Sequence, residues 1–252
     1  MAAQITWILL RGLTRESGHW GGFADQFAQA VPQAHVLALD LPGNGRFYMQ
    51  RSPLSVQAMV AQCRDELARR GIAPPYGVLA MSLGAMVAAQ WSQSHPQEVV
   101  AQVLINTSMR PFSAFYQRLR PANYGALLKL VLLGASPQEW EQTVLRLTSH
   151  KADTCALPAW LAIRRERPVS RANAFRQLLA AARFEASGER PLVPTLLLAS
   201  THDGLVAVQC SEALAQHWQC PLQLHPSAGH DLPLDDGPWV AQQVQQWLSR
   251  LS

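Results

Sequence analysis

Six short apolar runs recur along the chain, near residues 5–10, 35–39, 77–80, 100–105, 195–199 and 222–225, each bounded by Gly, Pro or Asp. Runs that stay apolar instead of alternating suit parallel strands covered on both faces. Near 22–30, 55–70, 83–94, 205–218 and 237–251 the apolar positions instead recur along one helix face. Strand alternating with helix predicts an α/β chain, with a mostly parallel sheet, helices on both faces and right-handed crossovers. The alternation stops after Asn106-Thr-Ser108. From about 110 to 190 the pattern is helix after helix without a strand, punctuated by Pro111, Pro121, Pro137, Pro158 and Pro168. A structureless crossover of that length would be unusual. The reading is a core domain formed by 1–109 and 191–252, with a helical insertion over 110–190.

Composition narrows the class. At 252 residues, 48% hydrophobic and 15% charged, the chain can bury a sizeable core and is not a disordered one. Met1-Ala-Ala-Gln leads into the first strand with no basic segment, so a secretory signal is not expected. No apolar run is long enough to span a bilayer. Cys63, Cys155, Cys210 and Cys220 show neither C-x-x-C nor metal-ligand spacing, which favours reduced thiols and a cytoplasmic location. The eight histidines are scattered, so neither a metal nor a cofactor is expected.

Charge is unevenly spread. The whole chain carries a formal +4, yet the stretch 110–190 holds eleven Arg and two Lys against six acids. Its densest part is Arg164, Arg165 and Arg167 with Arg171 and Arg176. One reading is a solvated helical face paired with Glu139, Glu141, Glu166 and Glu185. The other is a basic lid that steers anionic substrates or an acidic partner. Nucleic acid fits less well, because no basic motif interleaved with aromatics occurs.

The most telling stretch is Tyr76-Gly-Val-Leu-Ala-Met-Ser82-Leu-Gly-Ala-Met-Val. A strand pattern stops at one hydroxyl and a small-residue helix pattern begins at once. A nucleophilic serine needs a strained strand-to-helix turn with small neighbours, here Ala80 and Gly84. The alternative is a serine that only caps the helix. Two later loops support the nucleophile. Asp203 follows the run ending at Ser200, and His230 follows the run ending at His225. The order nucleophile, acid, histidine suits a Ser-His-acid arrangement with both partners past the carboxyl ends of strands. The Leu83 amide at the helix start can serve one side of an oxyanion hole, and Leu13, after Gly12 in the first strand's exit loop, can serve the other. Trp20 and Arg11 on that loop are candidate substrate contacts. Phe112, Phe115, Tyr116, Tyr124, Trp140 and Trp160 are candidates for an acyl pocket or for core. Asp40 and Asn44 are candidates to hold the site rim, with Asp40 a possible ion partner for Arg11.

These motifs run across nearly the whole chain in one order: Arg11-Gly12 with Trp20, Leu39-Asp-Leu-Pro-Gly-Asn-Gly45, the Ser82 turn, Asp203-Gly-Leu-Val206 and Ala228-Gly-His230. In this the chain resembles the α/β-hydrolase superfamily. Within it the chain is similar to small cap-bearing carboxylesterases, including the pimeloyl-[acyl-carrier-protein] methyl ester esterases. The resemblance implies a sheet of the α/β-hydrolase type with a helical cap, nucleophile Ser82, acid Asp203, base His230, and backbone donors Leu13 and Leu83. It departs from the family pattern where Arg11 replaces the usual His, Ala80 the first elbow Gly, and Arg46 the common serine. The implied activity is cleavage of a small-molecule carboxylic ester, including an anionic or carrier-linked one. The same triad serves thioesterases, C–C hydrolases and lyases, and an idle binding protein on this fold is the alternative from another class.

Overall fold

All six apolar runs form strands in the computed structural model, which describes residues 5–31, 34–130, 134–150 and 156–251. They are β1 (Ile5–Leu10), β2 (Ala34–Leu39), β3 (Tyr76–Met81), β4 (Val99–Ile105), β5 (Thr195–Ser200) and β6 (Leu222–His225). Residues 1–4 and Cys155 lie outside the described residues. The strands make one all-parallel sheet in the order β2-β1-β3-β4-β5-β6. The winding reverses between β1 and β3, and loops leaving such a point splay apart to open a crevice at the carboxyl edge.

Ten helices are described: α1 (Phe23–Ala30), α2 (Val56–Arg69), α3 (Leu83–Ser94), α4 (Phe115–Arg118), α5 (Tyr124–Leu128), α6 (Pro137–Thr148), α7 (Ala156–Glu166), α8 (Arg171–Arg183), α9 (Gln209–Trp218) and α10 (Leu232–Leu248). Successive strand residues point to opposite faces, so two cores form. Ile8, Leu10, Val78, Ala80 and Leu104 meet α2, α3 and α9 on one side. Trp7, Leu9, Leu79, Val103 and Ile105 meet α1 and α10 on the other. Each fully buried Leu, Ile or Val contributes about 1.5–3 kcal/mol over its exposed state, enough to pin the register of so apolar a sheet.

Two helices differ from the sequence expectation. The helix expected over 205–218 begins only at Gln209, because the Leu205 and Val206 amides bond to the Asp203 side chain instead. The helix expected over 237–251 is α10, which starts earlier and kinks at Asp236 (φ −151°, ψ 72°). Pro238 has no N–H to continue the ladder, and Asp236 Oδ1 accepts from the Trp239 amide to restart it.

Between β4 and β5 the described residues hold helices α4–α8 and no named strand. The two ends of this segment meet at a single parallel bridge, Arg110 with Glu185, where the Ala186 amide donates to the Arg110 carbonyl at 2.8 Å. The segment leaves and rejoins the core at nearly one point, beside the C-terminal ends of α3 and α9, where Phe112 packs on His217 and Trp218 and the Ser187 amide donates to Gln93 Oε1.

Candidate active site

Ser82 alone makes the turn from β3 to α3, with φ 54° and ψ −119°. Such a backbone costs a non-glycine residue of order 1–3 kcal/mol and persists only where its surroundings hold it. Its amide donates to the Ile105 carbonyl at 2.9 Å, and its carbonyl accepts from Thr107 Oγ1 at 3.0 Å and the Ala85 amide at 3.1 Å. The hydroxyl makes no capping bond to α3, which removes the merely capping reading. Close packing explains the small neighbours. A Cβ on Gly84 would sit 2.6 Å from the carbonyl oxygens of Leu10 and Arg11, and one on Gly12 would sit 3.0 Å from Ser82 Cβ. Ala80 is fully buried in the first core, where one methyl is accommodated.

His230 and Asp203 meet as the chain order anticipates. His230 Nδ1–H donates to Asp203 Oδ2 at 2.7 Å, and both residues are buried. Asp203 Oδ1 accepts from the Leu205 and Val206 amides at 2.8 and 2.9 Å, so the carboxylate cannot rotate away. Burial alone lowers the His230 pKa. The charge and hydrogen bond of Asp203, with Asp231 behind it, outweigh burial and the repulsion from Arg11, and the net shift is upward. Asn106 (φ 44°), which sequence reasoning missed, ties the ends of β4 and β5 to this loop. Its Nδ2 donates to the His230 and Gly229 carbonyls and to Ser200 Oγ, and its Oδ1 accepts from the Ser200 amide.

The exit loop of β1 packs against the Ser82 turn. Leu13 and Leu83 both line the cavity that Ser82 lines, and among the described residues neither amide has a hydrogen-bond acceptor. Thr14 has φ 59°, and its amide donates to Gln177 Oε1 of α8 at 2.9 Å. Gln177 is fully buried, and its Nε2 donates to Asn44 Oδ1 at 2.8 Å and Ser52 Oγ at 3.0 Å. Ser52 Oγ in turn donates to the Pro42 carbonyl. The segment between β4 and β5 thus reaches the oxyanion-loop candidate through one amide side chain.

Arg11 lines the cavity, but its ion partner is Asp231, not Asp40. Nη1 and Nη2 donate to the two Asp231 oxygens at 3.0 and 2.5 Å, and Nη1 also contacts Met81 Sδ. Asp40 instead accepts from the Ser17 and Arg46 amides. Trp20 is not among the lining residues. It is buried in the second core, stacked on Phe23, with the Arg11 guanidinium 4.8 Å above its ring. A sequence distance of 220 residues hid the Arg11–Asp231 pair. Asp231 looked like one of several acids crowding the His230 loop.

The arginine-rich stretch is partly consumed by internal pairing. Glu141 on α6, itself buried, accepts from Arg15 at 2.5 Å and Arg164 at 3.4 Å. Arg15 also lies over Trp160 and Arg164 over Trp140. Arg167 pairs with Glu16, and Arg176 donates to the Ser52 carbonyl. His19, beside Arg15, is held well below its usual pKa by burial and by the cations Arg15, Arg11 and Arg164, so it stays neutral. These contacts join α6 and α7 to the exit loop of β1.

The cavity they enclose has a volume of about 180 Å³. Besides the residues above, its wall is largely apolar, with Met86, Leu119, Leu130, Trp140, Val144 and Leu178 among the contributors. Of the candidate pocket aromatics, Trp140 lines it; Phe112, Phe115, Tyr116, Tyr124 and Trp160 do not. Among the described residues no cluster of three or more His, Cys, Asp or Glu could hold a metal ion. No described helix is long and apolar enough to cross a membrane.

Comparison with known proteins agrees with this fold. The model of the alpha/beta hydrolase family matches residues 7–243. Among solved structures, a hydrolase from Pseudomonas aeruginosa PA01 superposes with a TM-score of 0.79 at 19% identity, covering 98% of this chain and 91% of that one. The enol-lactonase from Burkholderia xenovorans LB400 gives 0.79 at 16% identity, covering 99% and 92%. A thermophilic esterase from Thermogutta terrifontis gives 0.74 at 17% identity, covering 98% and 90%. At these identities the likeness is one of fold.

Proposed function

The chain belongs to the alpha/beta hydrolase family, and from that premise we propose that it is a serine hydrolase cleaving a small carboxylic ester through an acyl-enzyme on Ser82. The observation that carries this reading is that His230, hydrogen-bonded to buried Asp203, shares one largely apolar cavity with a strained, uncapped serine. In the proposed reaction Ser82 Oγ attacks the ester carbonyl while His230 Nε2 takes its proton. The tetrahedral oxyanion is held by the Leu13 and Leu83 amides, which line the cavity beside Ser82 and have no acceptor among the described residues. His230 returns the proton to the departing alkoxide, and an alcohol leaves. Water then gives a proton to His230 and adds to the acyl carbon; the acid departs and Ser82 recovers its hydrogen. Asp203 holds the tautomer that keeps Nε2 free as the base and stabilises the imidazolium.

Relatives described as an esterase and an enol-lactonase favour acyl transfer to water over the lyase and C–C hydrolase options. The Asp203-Gly-Leu-Val206 likeness to the pimeloyl-[acyl-carrier-protein] methyl ester esterases points the same way, toward a carboxylic ester. The test is stoichiometric labelling of Ser82 by a fluorophosphonate, together with hydrolysis of methyl and p-nitrophenyl esters of graded length. Ser82→Ala is expected to lower turnover by about a thousandfold or more, with unchanged circular dichroism. Near-wild-type turnover in purified Ser82→Ala removes the assignment.

A further inference from the structure

One face of α6 runs along the cavity wall. Trp140, Val144 and Thr148 all line the cavity, and their four-residue spacing stacks them one above another on the helix. The Thr148 end is fixed to the His230 loop. Its carbonyl accepts from the Asp231 amide at 2.7 Å, and just beyond it Asp235 Oδ2 accepts from the His150 and Gly229 amides at 3.0 and 2.7 Å. Trp140 lies two turns further back, about 12 Å along the helix axis, and so walls the end of the cavity away from His230. There it packs with Leu130 and Ala174 in a cluster separate from both sheet cores. The ring is held in place. The Arg164 guanidinium lies 4.2 Å over it, and the adjacent Glu141 is buried and paired with Arg15 and Arg164.

The titratable residues of the wall are already engaged. Arg11 pairs with Asp231, Arg15 with Glu141 and His230 with Asp203, while Arg118 donates to the Ala181 and Ala182 carbonyls. A charged group carried into this cavity would lose its water and gain no free partner. Size sets a second limit. At about 180 Å³ the cavity is near the roughly 150 Å³ of one that takes benzene, a molecule of six carbons. Between the two chemical steps the alcohol must leave and water must enter, while the acyl group stays on Ser82, so the walled end suits the acyl group. We propose that Trp140 is the stop that sets acyl-chain length, and that the group transferred to Ser82 is uncharged, apolar and no longer than about six carbons. This inference rests on the hydrolase reading above and names its substrate class. The bonds made and broken are those already described, and Trp140 meets only the far end of the chain.

The test follows kcat/KM across p-nitrophenyl esters of unbranched acids from acetate to decanoate. In wild type it is expected to rise about fourfold per added methylene, up to about six acyl carbons, and to fall beyond them. Trp140→Ala opens the far end, so its octanoate-to-hexanoate ratio is expected to exceed that of wild type by at least about tenfold, the worth of two more buried methylenes. Val144→Phe fills the wall one turn nearer Thr148 and should move the break the other way, to shorter chains. Each readout is a ratio within one variant, so the fraction of folded enzyme cancels, and general destabilisation does not move the break in opposite directions. Should Trp140→Ala fail to fold, Trp140→Leu replaces it, with a smaller shift of the same sign. Alkyl acetates of graded alcohol length should show no shift in the Trp140 variants, and monomethyl glutarate should be at least about tenfold poorer than methyl pentanoate. An unmoved break, a shift in the alcohol series instead, or a glutarate ester that matches pentanoate overturns the proposal, while fluorophosphonate labelling of Ser82 leaves the hydrolase reading standing. Should Ser82 fail to label, calorimetry with unbranched alkyl amides tests the stop alone. A length limit in wild type that lengthens in Trp140→Ala supports it, and an unmoved limit or no binding overturns it.

Discussion

Gln177→Ala should damage the protein in two separable ways. The side chain reaches from α8 into a site with no exposure and makes three hydrogen bonds, to the Thr14 amide, Asn44 and Ser52. Ser52 keeps a partner in the Pro42 carbonyl. The Thr14 N–H and Asn44 Oδ1 are left without one, and each orphaned buried group costs about 1–3 kcal/mol. Water entering the vacated space offsets part of this, so the expected loss of stability is about 3 kcal/mol. In a chain of this size that lowers Tm by about 6–12 °C, which differential scanning calorimetry reads directly. The second effect is catalytic. Thr14 is held at positive φ next to Leu13, and freeing its amide lets the loop relax and the Leu13 donor swing off line. Full loss of one oxyanion donor costs about a hundred- to a thousandfold in kcat; partial loss here should cost about tenfold, with KM little changed. Ser52→Ala is the control, because it breaks the same network without touching the Thr14 bond. It should lose stability and keep kcat. Wild-type kcat in Gln177→Ala, or equal kcat losses in both variants, would refute the link from α8 to the oxyanion loop.

Two further outcomes follow from the buried charges. Arg11→Met strands Asp231 without its bidentate partner, so denaturant unfolding should show a loss of about 3–5 kcal/mol, with most of it restored by adding Asp231→Asn; additive losses in the double variant count against the pair. His230 must be neutral to accept the Ser82 proton, and its pKa lies above the ordinary 6.5 because Asp203 and Asp231 outweigh burial. The acid limb of kcat/KM should therefore have its midpoint above pH 6.5, with activity rising as pH increases through it. In Asp203→Asn the residual activity should keep an acid limb displaced to lower pH, and an unmoved midpoint contradicts the assignment.

Much of the fold and of the candidate site was legible along the chain because its signals are local. The strands were marked by short apolar runs, since a parallel strand must be covered on both faces wherever it falls in sequence. The turn at Ser82 was marked by its small neighbours Ala80 and Gly84, since a Cβ on Gly84 would sit 2.6 Å from two backbone carbonyl oxygens, closer than a side chain tolerates. Asp203 and His230 were marked by their position just past strand ends. The start of α9 was misplaced because the Asp203 side chain captures two amides, a competition that a hydrophobic pattern does not register.

What the tertiary structure decided is which distant groups share a buried site. Arg11 meets Asp231, Arg15 meets Glu141, and Thr14 meets Gln177 across 220, 126 and 163 residues. No periodicity encodes such pairings; they exist only once the loops leaving the sheet and the helices between β4 and β5 are packed together. The same holds for the arginines of that insertion. By sequence they form one basic surface, yet Arg164 and Arg167 are tied to buried glutamates while Arg118, with no acid beside it among the described residues, donates to the Ala181 and Ala182 carbonyls at the end of α8. A charge acts through what lies within a few ångströms of it in a medium of low polarisability, and that neighbourhood is set only once the chain has folded.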